Sequence, residues 1–261
     1  MLIPFIKMQA QGNDFVFLRQ PFRTAPWEEM PLLAQSICDR HFGVGADGLV
    51  LLLESEEADA RMVIYNSDGT RPAMCGSALR CAGWLVAEAN HKDSYRILTD
   101  SGLREVHVDR ERGEVEAVIG YPVIKAKELE LFGLKGSLVD VGNLHFVTWW
   151  DDLSAKPHLL FGAKIEKTEG YESGINSMYA RRISEDEVEL VIWENACGAT
   201  LACGTGASAT LKVGVELGMI NNAVTMHMPG GSVQARLRPD QGVSIGGVVR
   251  EVFEGAFPWK T

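Results

Sequence analysis

The sequence predicts an α+β fold of two pseudo-symmetric lobes, each a β-rich sheet or barrel wrapped round a central buried helix. Three observations predict it. First, Met62 to Gly76 (MVIYNSDGTRPAMCG) and Leu190 to Gly204 (LVIWENACGATLACG) align without a gap, so that Cys75 and Cys203, like Ile64 and Ile192, stand the same distance apart. Second, each copy runs from an apolar, strand-like stretch through a polar loop to a Cys-Gly that opens a helical pattern. Third, the helices so opened, GSALRCAGWLVAEAN and GTGASATLKVGVELGM, carry small and apolar residues on nearly all sides. A helix apolar all round is a buried one, and short β-rich segments flank both.

The elements follow in order. Residues 1–18 alternate into strand, broken by a Gly12-Asn13 turn. A helix starts near Pro31, since proline is tolerated in a first turn, and stops near Gly43. Gly43 to Gly48 (GVGADG) is a glycine-rich turn; it lacks the Lys-Ser/Thr of a phosphate loop and reads as a tight turn. Leu49–Leu53 and Arg61–Tyr65 are strands, then comes the first buried helix. Val106–Val108, Gly113–Ile119, Val188–Trp193, Ala223–Met228 and Val243–Val249 are strands, and the second buried helix ends at Gly218. The repeat extends further. Gly142-Asn143 precedes Cys203 as Gly12-Asn13 precedes Cys75, and Pro229-Gly230 falls near the equivalent of Ser101-Gly102.

A chain of 261 residues is long enough for two lobes of about 130 residues each. The boundary is expected between Gly120 and Gly136, with 1–125 as the lobe carrying Cys75 and 126–261 as the lobe carrying Cys203; the chain end can cross back to the first lobe. The formal charge of −10 argues against a nucleic-acid groove or an anionic membrane surface, both of which need clustered Lys and Arg. No apolar run approaches the roughly 20 residues that span a bilayer. The N-terminus has no signal-peptide layout, so a cytoplasmic location is expected. Five cysteines, an odd number, speak against a disulfide framework. Cys38 and Cys81 read as small buried residues.

Cys75 and Cys203 read differently. The positive end of a helix lowers a thiol's pKa and makes it a usable base. The residues that follow, Gly76-Ser77 and Gly204-Thr205, leave first-turn N–H groups free, an anion site suited to a carboxylate. Two such sites facing each other would hold one carboxylate and set the two sulfurs on opposite sides of its α-carbon. One thiolate would remove the α-proton and the other thiol would return a proton to the opposite face. Neither a pyridoxal-lysine motif nor a dinucleotide fingerprint is apparent.

The motifs QGNDFV (11–16), FGVGADG (42–48), YNSDG (65–69), MCG (74–76), GNLH (142–145), Ile175-Asn176, the segment Trp193 to Gly206, and PGG (229–231) together resemble the diaminopimelate epimerase family, over nearly the whole length. The resemblance implies a cofactor-independent, metal-free isomerase acting on a small amino acid, LL- to meso-diaminopimelate in lysine biosynthesis, and a homodimer. It implies Cys75 and Cys203 as the catalytic thiols, and His145 and Glu194 as a pair that positions and activates a thiol. It implies Gly76, Ser77, Gly204 and Thr205 as holders of the reacting carboxylate, Asn13 and Glu194 near the ammonium group, and Asn66, Asn143 and Asn176 at the distal end.

The chain departs from the family pattern at Asn195, where the family usually has an Arg that pairs with the distal carboxylate. Ala199 replaces the usual Glu, Ser77-Ala78 replaces Asn-Gly, and Cys197 is an added thiol. A neutral amide in place of a charged fork suits an amino acid without a distal carboxylate, such as histidine, lysine or ornithine. The alternative of another class is a zinc or redox thiol protein built on Cys75, Cys81, Cys197 and Cys203. Their Cys-x5-Cys spacings are wider than structural zinc favours.

Overall fold

A computed structural model describes residues 1–19, 27–89 and 92–259, and the structural statements that follow concern these. His91, to which the sequence assigns no role, lies outside the described residues. Two compact units make up the chain: Met1–Ala117 with Val248–Thr261, and Val118–Gly247.

In the first unit, β1 (Leu2–Ala10) and β2 (Asn13–Arg19) pair antiparallel across a turn in which Gln11 has φ 50° and Gly12 has φ 80°. The positive φ suits glycine at the second position. Then come α1 (Met30–Cys38), with Pro31 in its first turn, β3 (Gly48–Leu53) and β4 (Ala60–Asn66). The run GLVLLL of β3 is buried on both faces, which is why it shows no alternation. The unit continues through α2 (Gly76–Ala89), β5 (Ser94–Thr99), β6 (Gly102–Asp109) and the first residues of β7 (Glu114–Gly120).

The second unit contains β8 (Val123–Leu131), β9 (Leu134–Asp140), β10 (Leu144–Trp149), α3 (Pro157–Glu166), β11 (Asn176–Arg182) and β12 (Glu187–Trp193). It continues with α4 (Gly204–Glu216), β13 (Ala223–Met228), β14 (Gly231–Leu237) and β15 (Val243–Val248). The last strand, β16 (Arg250–Pro258), belongs to the first unit and pairs antiparallel with β1.

The strand order is β16-β1-β2-β3-β4-β5-β6-β7 in one unit and β8-β9-β10-β11-β12-β13-β14-β15 in the other. The senses agree pair by pair. β2/β3 and β4/β5 are parallel, as are β10/β11 and β12/β13, and the other neighbours are antiparallel. α1 and α3 sit in equivalent connections, and so do α2 and α4. α2 packs against β1, β2, β4, β5 and β6, and α4 against β9, β10, β11 and β14. The α+β class, with a strand wrap round a buried helix occurring twice, is therefore what the chain adopts.

Sequence periodicity does not reveal α3. Its residues PHLLFGAKIE lack an apolar stripe, and Leu159 and Leu160 remain more than half exposed. It packs on β11 and β12 with Ile165 and Phe161 in the hydrophobic cluster there, and it approaches β12 closely: a Cβ at Gly162 would lie 2.3 Å from Cγ of Trp193, so only glycine lets α3 settle on that strand. No helix among the described residues is long and apolar enough to cross a membrane.

Candidate active site

Cys203 stands immediately before α4 as its N-cap, with φ −140° and ψ 113°. Its carbonyl oxygen accepts the Ala207 N–H at 3.0 Å, and its Sγ accepts the Gly206 N–H at 3.3 Å. The Thr205 hydroxyl lies 3.4 Å from the same sulfur. A Cβ at Gly206 would lie 2.3 Å from Sδ of Met178, so glycine here lets β11 come up under the helix start. Burial and then the nearby Glu194 carboxylate hold the Cys203 thiol well above its usual range; Thr205 and Gly206 only partly oppose them. Cys203 is thus a protonated thiol close to Glu194. Thr200 Oγ1 donates to Glu194 Oε1 at 2.6 Å.

Glu194 follows β12 in a tight loop, in which Glu194 and Gly198 exchange backbone hydrogen bonds. Ala196 adopts φ 61° in that loop. Glu166, the last residue of α3, braces it from outside. Its carboxylate accepts Trp193 Nε1 at 2.7 Å and the Ala196 N–H at 3.2 Å.

A chain of contacts leads from this loop to the remaining residues of the second unit. The Asn195 N–H donates to Asn176 Oδ1 at 3.0 Å, and Asn176 Nδ2 donates to the Leu144 carbonyl at 2.8 Å. Asn176 is paired in register with His145 across β10 and β11. His145 is fully buried, and burial drives its pKa down to about 3, so the ring is neutral at ordinary pH. Its Nε2 lies 2.9 Å from Asn143 Oδ1, which assigns the proton to Nε2; Nδ1 has no partner among the described residues. Asn143 itself is exposed.

The first unit repeats the arrangement with different side chains. Cys75 precedes α2 and accepts the Leu79 N–H on its carbonyl oxygen at 2.9 Å. It is half-buried, whereas Gly76 and Ser77 are buried. Asn13 Nδ2 lies 3.9 Å from Cys75 Sγ. Asn66, at the end of β4, occupies the position equivalent to Glu194, and its Nδ2 donates to Thr70 Oγ1 at 2.9 Å.

The glycine-rich turn serves this site as a scaffold. Asp14, next to Asn13, accepts Lys7 Nζ at 2.6 Å and Arg40 Nη2 at 2.7 Å, and Arg40 also reaches Asp47 at 2.7 Å. The Asp14 and Asp47 carboxylates accept each other's backbone N–H. Burial alone would raise the Asp14 carboxyl, but Arg40 and Lys7 outweigh burial and hold it below the usual range.

Cys38 and Cys81 are buried and neutral, with burial pushing each thiol up to about 12. Cys197 is exposed in the Glu194 loop. Sequence reasoning gave no role to Gln11, Arg80, Glu166 or Thr200, although Gln11 and Thr200 fall within the quoted motifs and Arg80 stands out as a charge within an apolar helix.

The family model described as diaminopimelate epimerase matches residues 5–125 and 137–251. A diaminopimelate epimerase of Pelotomaculum thermopropionicum is 34% identical, covering 98% of this chain and 99% of its own length. One of Nostoc punctiforme is 35% identical, covering 98% and 99%. The chain belongs to the diaminopimelate epimerase family.

Among solved structures, a PhzF-family phenazine biosynthesis protein of Bacillus anthracis superposes with a TM-score of 0.74 at 15% identity, covering 98% of this chain and 99% of that one. A probable proline racemase of Agrobacterium radiobacter gives 0.72 at 15%, covering 97% and 92%. These likenesses speak to the fold. As a member of the diaminopimelate epimerase family the chain is an isomerase. Asn195 holds a fixed place in it: its Nδ2 donates to the Ser173 carbonyl at 2.8 Å, and a Cβ at Gly174 would overlap its amide.

Proposed function

We propose that this chain is a cofactor-independent epimerase that converts LL- to meso-diaminopimelate, with Cys75 and Cys203 as its two proton-transfer groups. The observation that carries the reading is the repeat itself. After the same strand in each unit, a Cys-Gly caps the N-terminus of a buried helix. A thiolate takes the α-proton, the charge spreads into the substrate carboxylate, and a thiol delivers a proton to the other face. The first-turn N–H groups of Gly76, Ser77, Gly204 and Thr205 have no intrahelical acceptor by position. Aimed at the carboxylate, they are strongest where charge develops.

The roles divide by environment. Cys203, held protonated near the Glu194 carboxylate, is the acid in the direction that starts from this state, and Cys75 is the base. Asn13 and Glu194 border the reacting ammonium group. Asn66, Asn143, Asn176 and Asn195 receive the distal end, and neutral His145 orients Asn143. A homodimer in the cytoplasm extends the same reading, and sedimentation velocity checks the dimer.

One observation favours a second substrate. Asn195 is a neutral amide bound to backbone, so the distal carboxylate has no charged fork from this position. An amino acid without that carboxylate would not need one. A panel of LL-diaminopimelate, lysine, ornithine, histidine and glutamate, run in D2O and scored for deuterium at an inverted α-carbon, decides. The proposal expects diaminopimelate to be fastest. A faster histidine or ornithine would replace the substrate, and no α-deuterium in any would overturn the epimerase reading.

A further inference from the structure

Arg80 is a full positive charge carried inside the apolar helix α2. It is 2% exposed, and α2 is covered by β1, β2, β4, β5 and β6. Its Nη2 donates to Gln11 Oε1 at 2.6 Å, while Nε and Nη1 are buried with no hydrogen-bond partner among the described residues. Gln11 is neutral, so this contact compensates no charge. A guanidinium keeps its proton in proteins, and a buried charge without a counter-ion is strongly unfavourable. An anion has to stand close by.

The charged groups of the covering strands are engaged elsewhere or face solvent. Lys7 of β1 is bound to Asp14 of β2, Arg61 of β4 lies against Asp100, Arg104 of β6 donates to the Ser101 carbonyl, and Asp109 of β6 accepts the Arg112 N–H, while Arg96 of β5 and Glu105 and His107 of β6 are exposed. Two thiols stand on the same helix: Cys81 next to Arg80, and Cys75 directly before the first turn, towards which a helical side chain leans and where the Gln11 reached by Arg80 lies two residues from the Asn13 that approaches Cys75 Sγ. Burial lowers the guanidinium's hold on its proton, and Cys81 and then Cys75 oppose that. Cys81 is fully interior, and burial pushes its thiol up to about 12, so it stays neutral. Cys75 is half-buried at the positive end of α2, where an anion is favoured.

The Gln11 contact does a second thing. Gln11 Nε2 donates at 2.9 Å to the carbonyl of Val248, a residue of the same unit, so its amide is clamped between Val248 and Arg80. Gln11 sits at φ 50° in the turn that carries Asn13, whose Nδ2 lies 3.9 Å from Cys75 Sγ.

We propose that Arg80 is a positioning residue for proton transfer: a buried counter-charge that keeps Cys75 ionised and, through Gln11, fixes the turn that brings Asn13 to the sulfur. The inference deepens the two-thiol reading and rests on it for its catalytic meaning.

The test follows alkylation of the intact enzyme by iodoacetamide across the thiol titration range, with the Cys75 peptide quantified by mass spectrometry. In the unmodified protein Cys75 titrates at least about one unit below the ~8.5 of a free thiol. Arg80→Met and Arg80→Gln raise that pKa by about one unit or more and move the acid limb of kcat/KM by the same amount, with KM changed less than about threefold. Arg80→Lys, which keeps the charge, stays near the parent value. A Cys75 titration in the unmodified protein at or above the free-thiol value overturns the proposal, as does a folded Arg80→Met with the parent profile. Should Arg80→Met not fold, the unmodified protein and Arg80→Lys still decide. Deuterium exchange at the α-carbon, run on the same samples, separates the two readings. Exchange without Arg80-dependent titration overturns this inference alone. The expected titration without any exchange supports the ion pairing and sinks the two-thiol epimerase.

Discussion

The Glu194 carboxylate holds the Cys203 thiol in its protonated form, and at the position equivalent to Glu194 in the first unit the chain has the neutral amide of Asn66. Two halves with the same topology therefore carry different groups at this position. A carboxylate near a thiol stabilises its protonated form, and removing that carboxylate releases the constraint.

Glu194→Gln is expected to lower the Cys203 pKa and speed its alkylation at neutral pH, because the charge that opposes the thiolate is gone while Thr205 and Gly206 still favour it. Turnover falls about 10²-fold, as for loss of a proton-transfer partner. Peptide-resolved alkylation against pH reads the first effect. An unchanged Cys203 profile would show that Glu194 does not act on the sulfur.

His145 gives a pH dependence of stability. Its folded pKa of about 3 lies below the ordinary histidine value of 6.5, because burial disfavours the charged ring. The depressed value means that the unfolded chain binds the proton more readily. Stability from this group is complete above pH 6.5 and is lost as pH falls towards 3, at up to about 1.4 kcal/mol per pH unit. Urea unfolding at neutral and mildly acidic pH should show that slope, and His145→Gln should flatten it. Equal slopes in the two proteins would place the histidine in a wetter site than described.

Glu166→Ala removes the brace on the Glu194 loop, leaving Trp193 Nε1 and the Ala196 N–H without their carboxylate. A cost of about 1–3 kcal/mol in stability is expected, with a drop of roughly tenfold in kcat/KM as Glu194 loses its fixed position. Thermal denaturation together with steady-state kinetics measures both. A stability loss with unaltered kinetics would confine Glu166 to the fold.

Asn195→Arg restores a charged donor at the distal position. If diaminopimelate is the substrate, its KM falls about 10- to 100-fold with kcat little changed, since a charged hydrogen bond contributes roughly 1.5–3 kcal/mol. Initial rates suffice. An unchanged KM would mean that the distal carboxylate is held elsewhere.

The two buried helices and the Cys-Gly caps are legible in the sequence because the repeat is gapless there and both helices are apolar on all sides. The turns at Gly12 and Gly142 are legible through their glycines, at φ 80° and 97°. What stays hidden has physical causes. α3 has no apolar stripe, so no period betrays it. Glu166 looks like any carboxylate at a helix end until its two partners, far along the chain, are seen. Arg80 and Gln11 meet over 69 residues of sequence, and nothing local links a turn glutamine to a helix arginine. The family motifs point to Glu194, but its contact with Thr200 depends on the loop that closes between Glu194 and Gly198.

The most direct test of the two-thiol scheme is inversion of LL-diaminopimelate in D2O by Cys75→Ala and Cys203→Ala, compared with the parent under reducing conditions. Each variant is expected to lose inversion by about 10²-fold or more, because each lacks one of the two proton-transfer groups. If either variant retained parent-like inversion, that sulfur would not be one of the two bases, and the account would be wrong.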